Sequence, residues 1–130
     1  MNNLSSISHY FPESEKTPLL FLGHGNPMNA IEGNQFVDGF RNIAKSVPKP
    51  NAILCISAHW FINGTKTTAM VLPKTIHDFY GFPKELSEFQ YPAKGSLELA
   101  NETIRILQPT NVELDFDWGL DPLPLSGIFT

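Results

Sequence analysis

The chain has 130 residues, 42% hydrophobic and 17% charged, a composition that suits one globular domain and excludes a disordered or fibrous segment. Nine Lys and Arg against 13 Asp and Glu leave a net charge of −4, so no basic stripe exists to neutralise phosphates and nucleic acid is not an expected partner. The longest apolar run, Ala52–Ile56, is five residues where a bilayer span needs about 20, and no membrane contact is expected.

Residues 1–16, MNNLSSISHYFPESEK, lack the basic start and apolar core of a secretory signal and read as a loosely held arm. His9 within it is expected to be inert. Pro18–Leu22 is a short apolar run halted by Gly23-His24-Gly25, which predicts a buried first strand ending in a tight loop. From Gln35 to Val47, Phe36, Phe40, Ile43, Ala44 and Val47 recur at helical spacing, and Pro48 and Pro50 close the helix. Asn51–Ser57 is unbroken by polar alternation until its end, which predicts a second strand buried on both faces. A strand, a crossover helix and a second strand imply a parallel unit.

Thr65–Leu72 reads as a third strand, and Pro73–Gly95 as a long aromatic loop of the kind that carries function. Ser96 can cap a helix to Leu107 with Leu97, Ala100, Ile104 and Leu107 on one face. Val112, Leu114 and Phe116 alternate with Glu113, Asp115 and Asp117 as a half-exposed strand. The expected fold is α/β, a mostly parallel central sheet with flanking helices. Leu120–Thr130, with two prolines and one charge, fits no element and leaves the last strand without a covering helix.

His24 and His59 stand just past the first two predicted strands. Ligands collect at the carboxyl ends of parallel strands, and two imidazoles over one crevice could share a divalent metal; the alternative is that each merely caps its strand. Gly23–Pro27 could instead cradle an anion. It has neither the Lys-Ser/Thr ending of a P-loop nor a dinucleotide pattern. Cys55, Ser57 and His59 would share one strand face, which invites a nucleophile reading, although a cysteine in an apolar strand is usually core. As the only cysteine it can form no internal disulfide, and a reducing cytoplasm is expected. His77, beside Asp78, is a candidate substrate contact or an ordinary surface hydrogen-bonder.

Leu22-Gly-His-Gly-Asn-Pro-Met28, Ser57-Ala-His-Trp60 and Thr75-Ile-His-Asp-Phe-Tyr-Gly-Phe-Pro83 resemble motifs of the LigB-like, class III extradiol ring-cleaving dioxygenases, in the branch of the DOPA extradiol enzymes. Tyr91–Ser96 and Asp117-Trp-Gly119 match as well. The resemblance runs over residues 17–121, about the first half of a family domain, and leaves 122–130 as a non-family tail.

It implies that His24 and His59 are two ligands of a non-haem Fe(II), with Zn(II) possible in the same place, and that a catechol-type small molecule and O₂ are the substrates. The remaining ligands would come from the second half of the domain. The family expects Asp-His-Gly after Trp-Gly-x, whereas Asp121 is followed by Pro122; the acid/base histidine is absent and no catalytic residue is assigned. The loop around His77, Phe79, Tyr80 and Phe82 would suit the wall of a flat substrate's pocket.

The sequence thus reads as the N-terminal part of an extradiol dioxygenase, incomplete in this chain. The alternative is a non-catalytic remnant or partner-binding module with weak metal affinity. Self-association, or a complementing C-terminal half, is the partner expected. The abrupt loss of family agreement after Asp121 is what a single-base insertion or deletion produces, and downstream DNA is expected to continue the family sequence in another frame.

Overall fold

The computed structural model describes residues 16, 18–57 and 59–121; the expected arm, apart from Lys16, and the tail at 122–130 lie outside the described residues. The elements are a 3₁₀ turn at Pro27–Ala30, α1 at Gln35–Ser46, β1 at Thr65–Thr68, α2 at Lys84–Ser87, α3 at Leu97–Ile106 and β2 at Val112–Asp115. No helix among the described residues is long and apolar enough to cross a membrane.

The predicted α/β character is present, as a two-stranded parallel sheet and three helices. β1 pairs with β2 in register from Thr65↔Val112 to Thr68↔Asp115. Parallel strands need a long crossover, and α3 lies within it and packs on both. The parallel pair is therefore built from the third and fourth predicted strands, not from the first two. Pro18–Leu22 and Asn51–Ser57 are not strands, and the expected burial is reversed: Leu19, Phe21 and Ile56 are 99%, 101% and 92% exposed. A continuous apolar run records a capacity for burial. A doubly buried strand also needs partners on both edges and cover on both faces, which the described residues do not bring to these two segments.

α1 starts where predicted because Asn34 Oδ1 accepts the N–H groups of Phe36 and Val37 at 3.0 and 3.1 Å. Of the expected inward face Phe40, Ile43, Ala44 and Val47 are half-buried, but Phe36 gives way to Val37. Val37 is buried while Phe36 is 63% exposed, because neighbouring apolar positions lie about 100° apart on a helix and only one can point fully inward. α3 is capped by Ser96 Oγ, which accepts from Leu99 N–H at 3.1 Å. Ala100 and Thr103 are buried on it, and Thr103 returns its hydroxyl proton to the Leu99 carbonyl at 2.8 Å. Leu97 and Leu107, expected inside, are exposed, since a two-stranded sheet is too narrow to cover both helix ends. Glu102, expected outside, is buried against Arg105, with Nε to Oε2 at 2.8 Å.

β1 stops at Thr68 rather than at Leu72, and the cause is Asp115. Its Oδ1 accepts the N–H groups of Asp117 and Trp118 at 2.9 and 2.7 Å, an Asx-type turn that ends β2 and removes the partner β1 would need to continue. The hydrogen bond from Trp118 holds the Asp115 carboxyl below the ordinary carboxylate range, helped by Asp117 N–H and by Lys66 Nζ at 3.3 Å, with burial opposing. A depressed folded-state value contributes stability above the unfolded value of about 3.9, and that stability is lost as pH falls through the lower folded value. Asp115→Asn is accordingly expected to lower the melting temperature at neutral pH and to flatten its decline below about pH 4. A melting series from pH 7 to pH 2 checks both.

A second parallel contact, Thr75↔Leu120, extends the arrangement toward the histidines. Leu120 N–H donates to the Lys74 carbonyl at 2.8 Å, and Ile76 N–H donates to the Leu120 carbonyl at 3.0 Å.

Candidate metal centre

The Gly-His-Gly-Asn-Pro-Met sequence makes its own turn. Gly25 sits at φ +67°, a left-handed conformation open to glycine, and swings the chain back beneath His24. Asn26 then caps the 3₁₀ turn, its Oδ1 accepting from Met28 N–H at 3.0 Å, and Pro27 supplies a preset φ at the first turn position. Asn29, inside that turn, donates from Nδ2 to the His24 carbonyl at 2.9 Å. The histidine's backbone is thereby tied to the turn that follows it. A cleft of about 420 Å³ opens beside it, bordered by His24, Glu32, Phe36 and Phe40.

His59 is set by a shorter device: its N–H donates to Ser57 Oγ at 3.1 Å. The two imidazoles, 35 residues apart in sequence, face each other with ring centroids 5.5 Å apart and planes inclined at 43°. Imidazoles sharing one ion at the usual nitrogen–metal distance of about 2.0–2.1 Å place their centroids about 5 Å apart, so the separation suits a shared ion. His24 Nδ1 is buried with no hydrogen-bond partner among the described residues.

Two carboxylates complete the surroundings. Asp78 Oδ2 lies 3.5 Å from His59 Nδ1, both side chains being partly exposed. Asp121, 8% exposed, offers an oxygen that together with His59 and Asp78 forms a group of donor atoms within 4.8 Å of one another. The Thr75↔Leu120 contact brings Asp121 there. It depends on Gly119, where a Cβ would run into the Lys74 carbonyl oxygen. Gly119→Ala is expected to destabilise the protein by about 1–3 kcal/mol and to displace Asp121, measured as a lowered melting temperature together with loss of protection at the Leu120 and Ile76 amides.

Trp60 and Trp118 stack with centroids 5.8 Å apart and planes 5° from parallel. This joins the residue after His59 to the turn that Asp115 caps. Cys55 is half-buried, and burial, then the charge of Asp121, raises its thiol pKa. That is the opposite of what a thiolate nucleophile needs. The aromatic loop is tied down by His77, whose Nε2–H donates to the Phe89 carbonyl at 2.7 Å. Phe79 meets His77 edge-on at 5.7 Å and Phe82 edge-on at 5.6 Å. Tyr80 is 93% exposed.

Sequence reading assigned the two histidines but gave no role to Asp78, Asp121, Asn29 or Asn34. The available signal was position alone: Asn29, Asp78 and Asp121 lie within or next to the motifs around His24, His77 and Trp118, and Asn34 directly precedes the predicted helix. Nothing in their spacing announced that separate segments would converge.

Comparison with known proteins places these segments in a family. The family described as catalytic LigB subunit of aromatic ring-opening dioxygenase matches residues 17–121. A "4,5-DOPA dioxygenase extradiol" of Escherichia coli K12 is 48% identical over 109 residues, covering 83% of this chain and 40% of the relative. A protein of the same name from Beta vulgaris is 40% identical over 108 residues, covering 78% and 40%. The chain thus spans about 40% of the length of these curated relatives. Among solved structures, the crystal structure of uncharacterized protein JW3007 from Escherichia coli K12 superimposes with a TM-score of 0.58 at 35% identity, covering 78% of this chain and 37% of that one. The matched stretch contains both facing histidines and both converging carboxylates, and on that agreement the chain belongs to the LigB family of aromatic ring-opening dioxygenases.

Proposed function

We propose that this chain provides the two-histidine part of the metal centre of an extradiol dioxygenase acting on catechol-type, DOPA-like substrates and O₂. The observation that carries the reading is the facing pair of His24 and His59 inside family motifs. The donor set fits the metal: neutral imidazoles suit Fe(II) and equally Zn(II). The partnerless His24 Nδ1 is a buried polar atom that a bound ion on the ring would help to account for.

His24 and His59 would hold the ion, with the Asp78 carboxylate 3.5 Å from His59 Nδ1 as a neighbouring charge. Bound Fe(II) supplies open coordination positions at which a catecholate and O₂ can meet. Asp121 adds buried negative charge beside His59. With its Nε2–H spent on Phe89, neutral His77 has Nδ1 left to accept a hydrogen bond from a catechol hydroxyl. The edge-packed Phe79 and Phe82 give a flat ring an apolar wall, with exposed Tyr80 at its margin.

The test is oxygen uptake by the purified chain with Fe(II) and DOPA. Uptake with a yellow ring-opened semialdehyde, lost in His59→Ala, supports the dioxygenase reading. Pro122 after Asp121, where the resemblance expects a histidine, favours a second reading, a metal-binding module without turnover. Fe(II) binding through both histidines with no uptake would establish that reading in place of the first.

A further inference from the structure

We propose that Asn34 and Asn29 form a relay that positions His24, making them positioning residues of the metal centre; this rests on the two-histidine reading. Asn34 uses its two amide atoms for different tasks. Its Oδ1 accepts the Phe36 and Val37 N–H groups and starts α1, while its Nδ2 donates to Asn29 Oδ1 at 2.8 Å. Asn29 in turn donates from Nδ2 to the His24 carbonyl at 2.9 Å. The pattern is consistent in only one orientation of each amide. Two N–H donors fix the oxygen of Asn34, its nitrogen then fixes the oxygen of Asn29, and a carbonyl receives the last proton.

Capping alone does not explain these residue types. Asp or Ser at position 34 would cap α1 as well as Asn does, but Asp has no proton to pass on and Ser does not reach Asn29. The need for restraint is equally specific. His24 stands between Gly23 and Gly25, neither of which limits the backbone as a larger residue would, and Gly25 already occupies φ +67°. A metal ligand on such a loop loses conformational freedom on binding unless something has removed it beforehand. The relay removes it by anchoring the His24 peptide to the 12-residue helix α1, whose first turn borders the same cleft as His24.

The experiment separates positioning from helix stability. Asn34→Ser keeps the cap and cuts the relay at its first link; Asn29→Ala cuts it at the second. Both are compared with wild type by thermal melting, by relaxation of the His24 ring in metal-free protein, and by Co(II) titration with its visible spectrum. Asn34→Ser is expected to melt as wild type does, yet to show a more mobile His24 ring, about tenfold weaker Co(II) binding and altered Co(II) bands. Asn29→Ala is expected to match it in the last three. An unchanged His24 ring in both metal-free variants overturns the relay. If wild type binds no Co(II) through His24, the two-histidine reading fails by itself, and ring relaxation still decides whether the relay holds His24.

Discussion

Replacing either His24 or His59 with alanine is expected to weaken divalent-metal binding by at least about 100-fold, because loss of a mere outer-shell partner costs about 10–100-fold and these are direct ligands. The expectation follows from the 5.5 Å ring separation, which allows one ion to engage both rings. With one imidazole gone the other is left with carboxylate help at most, from Asp78 at 3.5 Å from His59 and from Asp121 in the same donor group. The double variant should therefore bind hardly less well than either single one, a strong departure from additivity. Calorimetric titration with Zn(II) across wild type, both single variants and the double variant measures the full cycle. Full retention in both single variants would show that the rings face each other without sharing an ion.

Leu86→Ala is expected to destabilise the protein by about 2–5 kcal/mol, the usual range for a buried leucine cut back to alanine. Leu86 is 0% exposed, and the other buried hydrophobics among the described residues are Val37, Ala69, Ala100 and Val112. With so few large side chains inside, each carries an unusual share, and total stability for a domain is only about 5–15 kcal/mol. Leu86 is also the buried residue of α2, which packs against the 3₁₀ turn carrying Asn29. The effect should reach the metal centre: Leu86→Ala is expected to lower the urea midpoint and, in the protein still folded, to weaken metal binding. An unchanged midpoint would mean that the aromatic loop is held by His77 and Phe89 rather than by its leucine.

Helices α1 and α3 were legible because their signals are local, whereas α2 lies inside the segment read as a loop. Asn34 and Ser96 cap α1 and α3 with their own side chains, and Pro48 follows the first helix, so each boundary is written within a few residues of itself. Which residue of each helix points inward was less legible. Val37 replaced Phe36 and Glu102 went under Arg105, because inward direction is set by the surface a helix meets. The two most apolar runs, at 18–22 and 51–57, misled for the same reason: a strand is a relation between segments, and Leu19, Phe21 and Ile56 have no covering layer in the described fold.

By itself the sequence determined the chemistry available to this protein: two histidines in glycine- and alanine-flanked motifs, an aromatic loop, and the family pattern over 17–121. Residue identity limits what can donate to a metal or stack on a ring, and no folding information is needed to read it. Only the tertiary structure decided the site. The Thr75↔Leu120 contact, with Gly119 pressed on the Lys74 carbonyl, carries Asp121 to His59 and Asp78. The Asn34–Asn29 hydrogen bond ties a helix start to the loop of His24. Both are meetings of segments distant in the chain or turned back on themselves, and their geometry depends on packing that local sequence patterns do not encode.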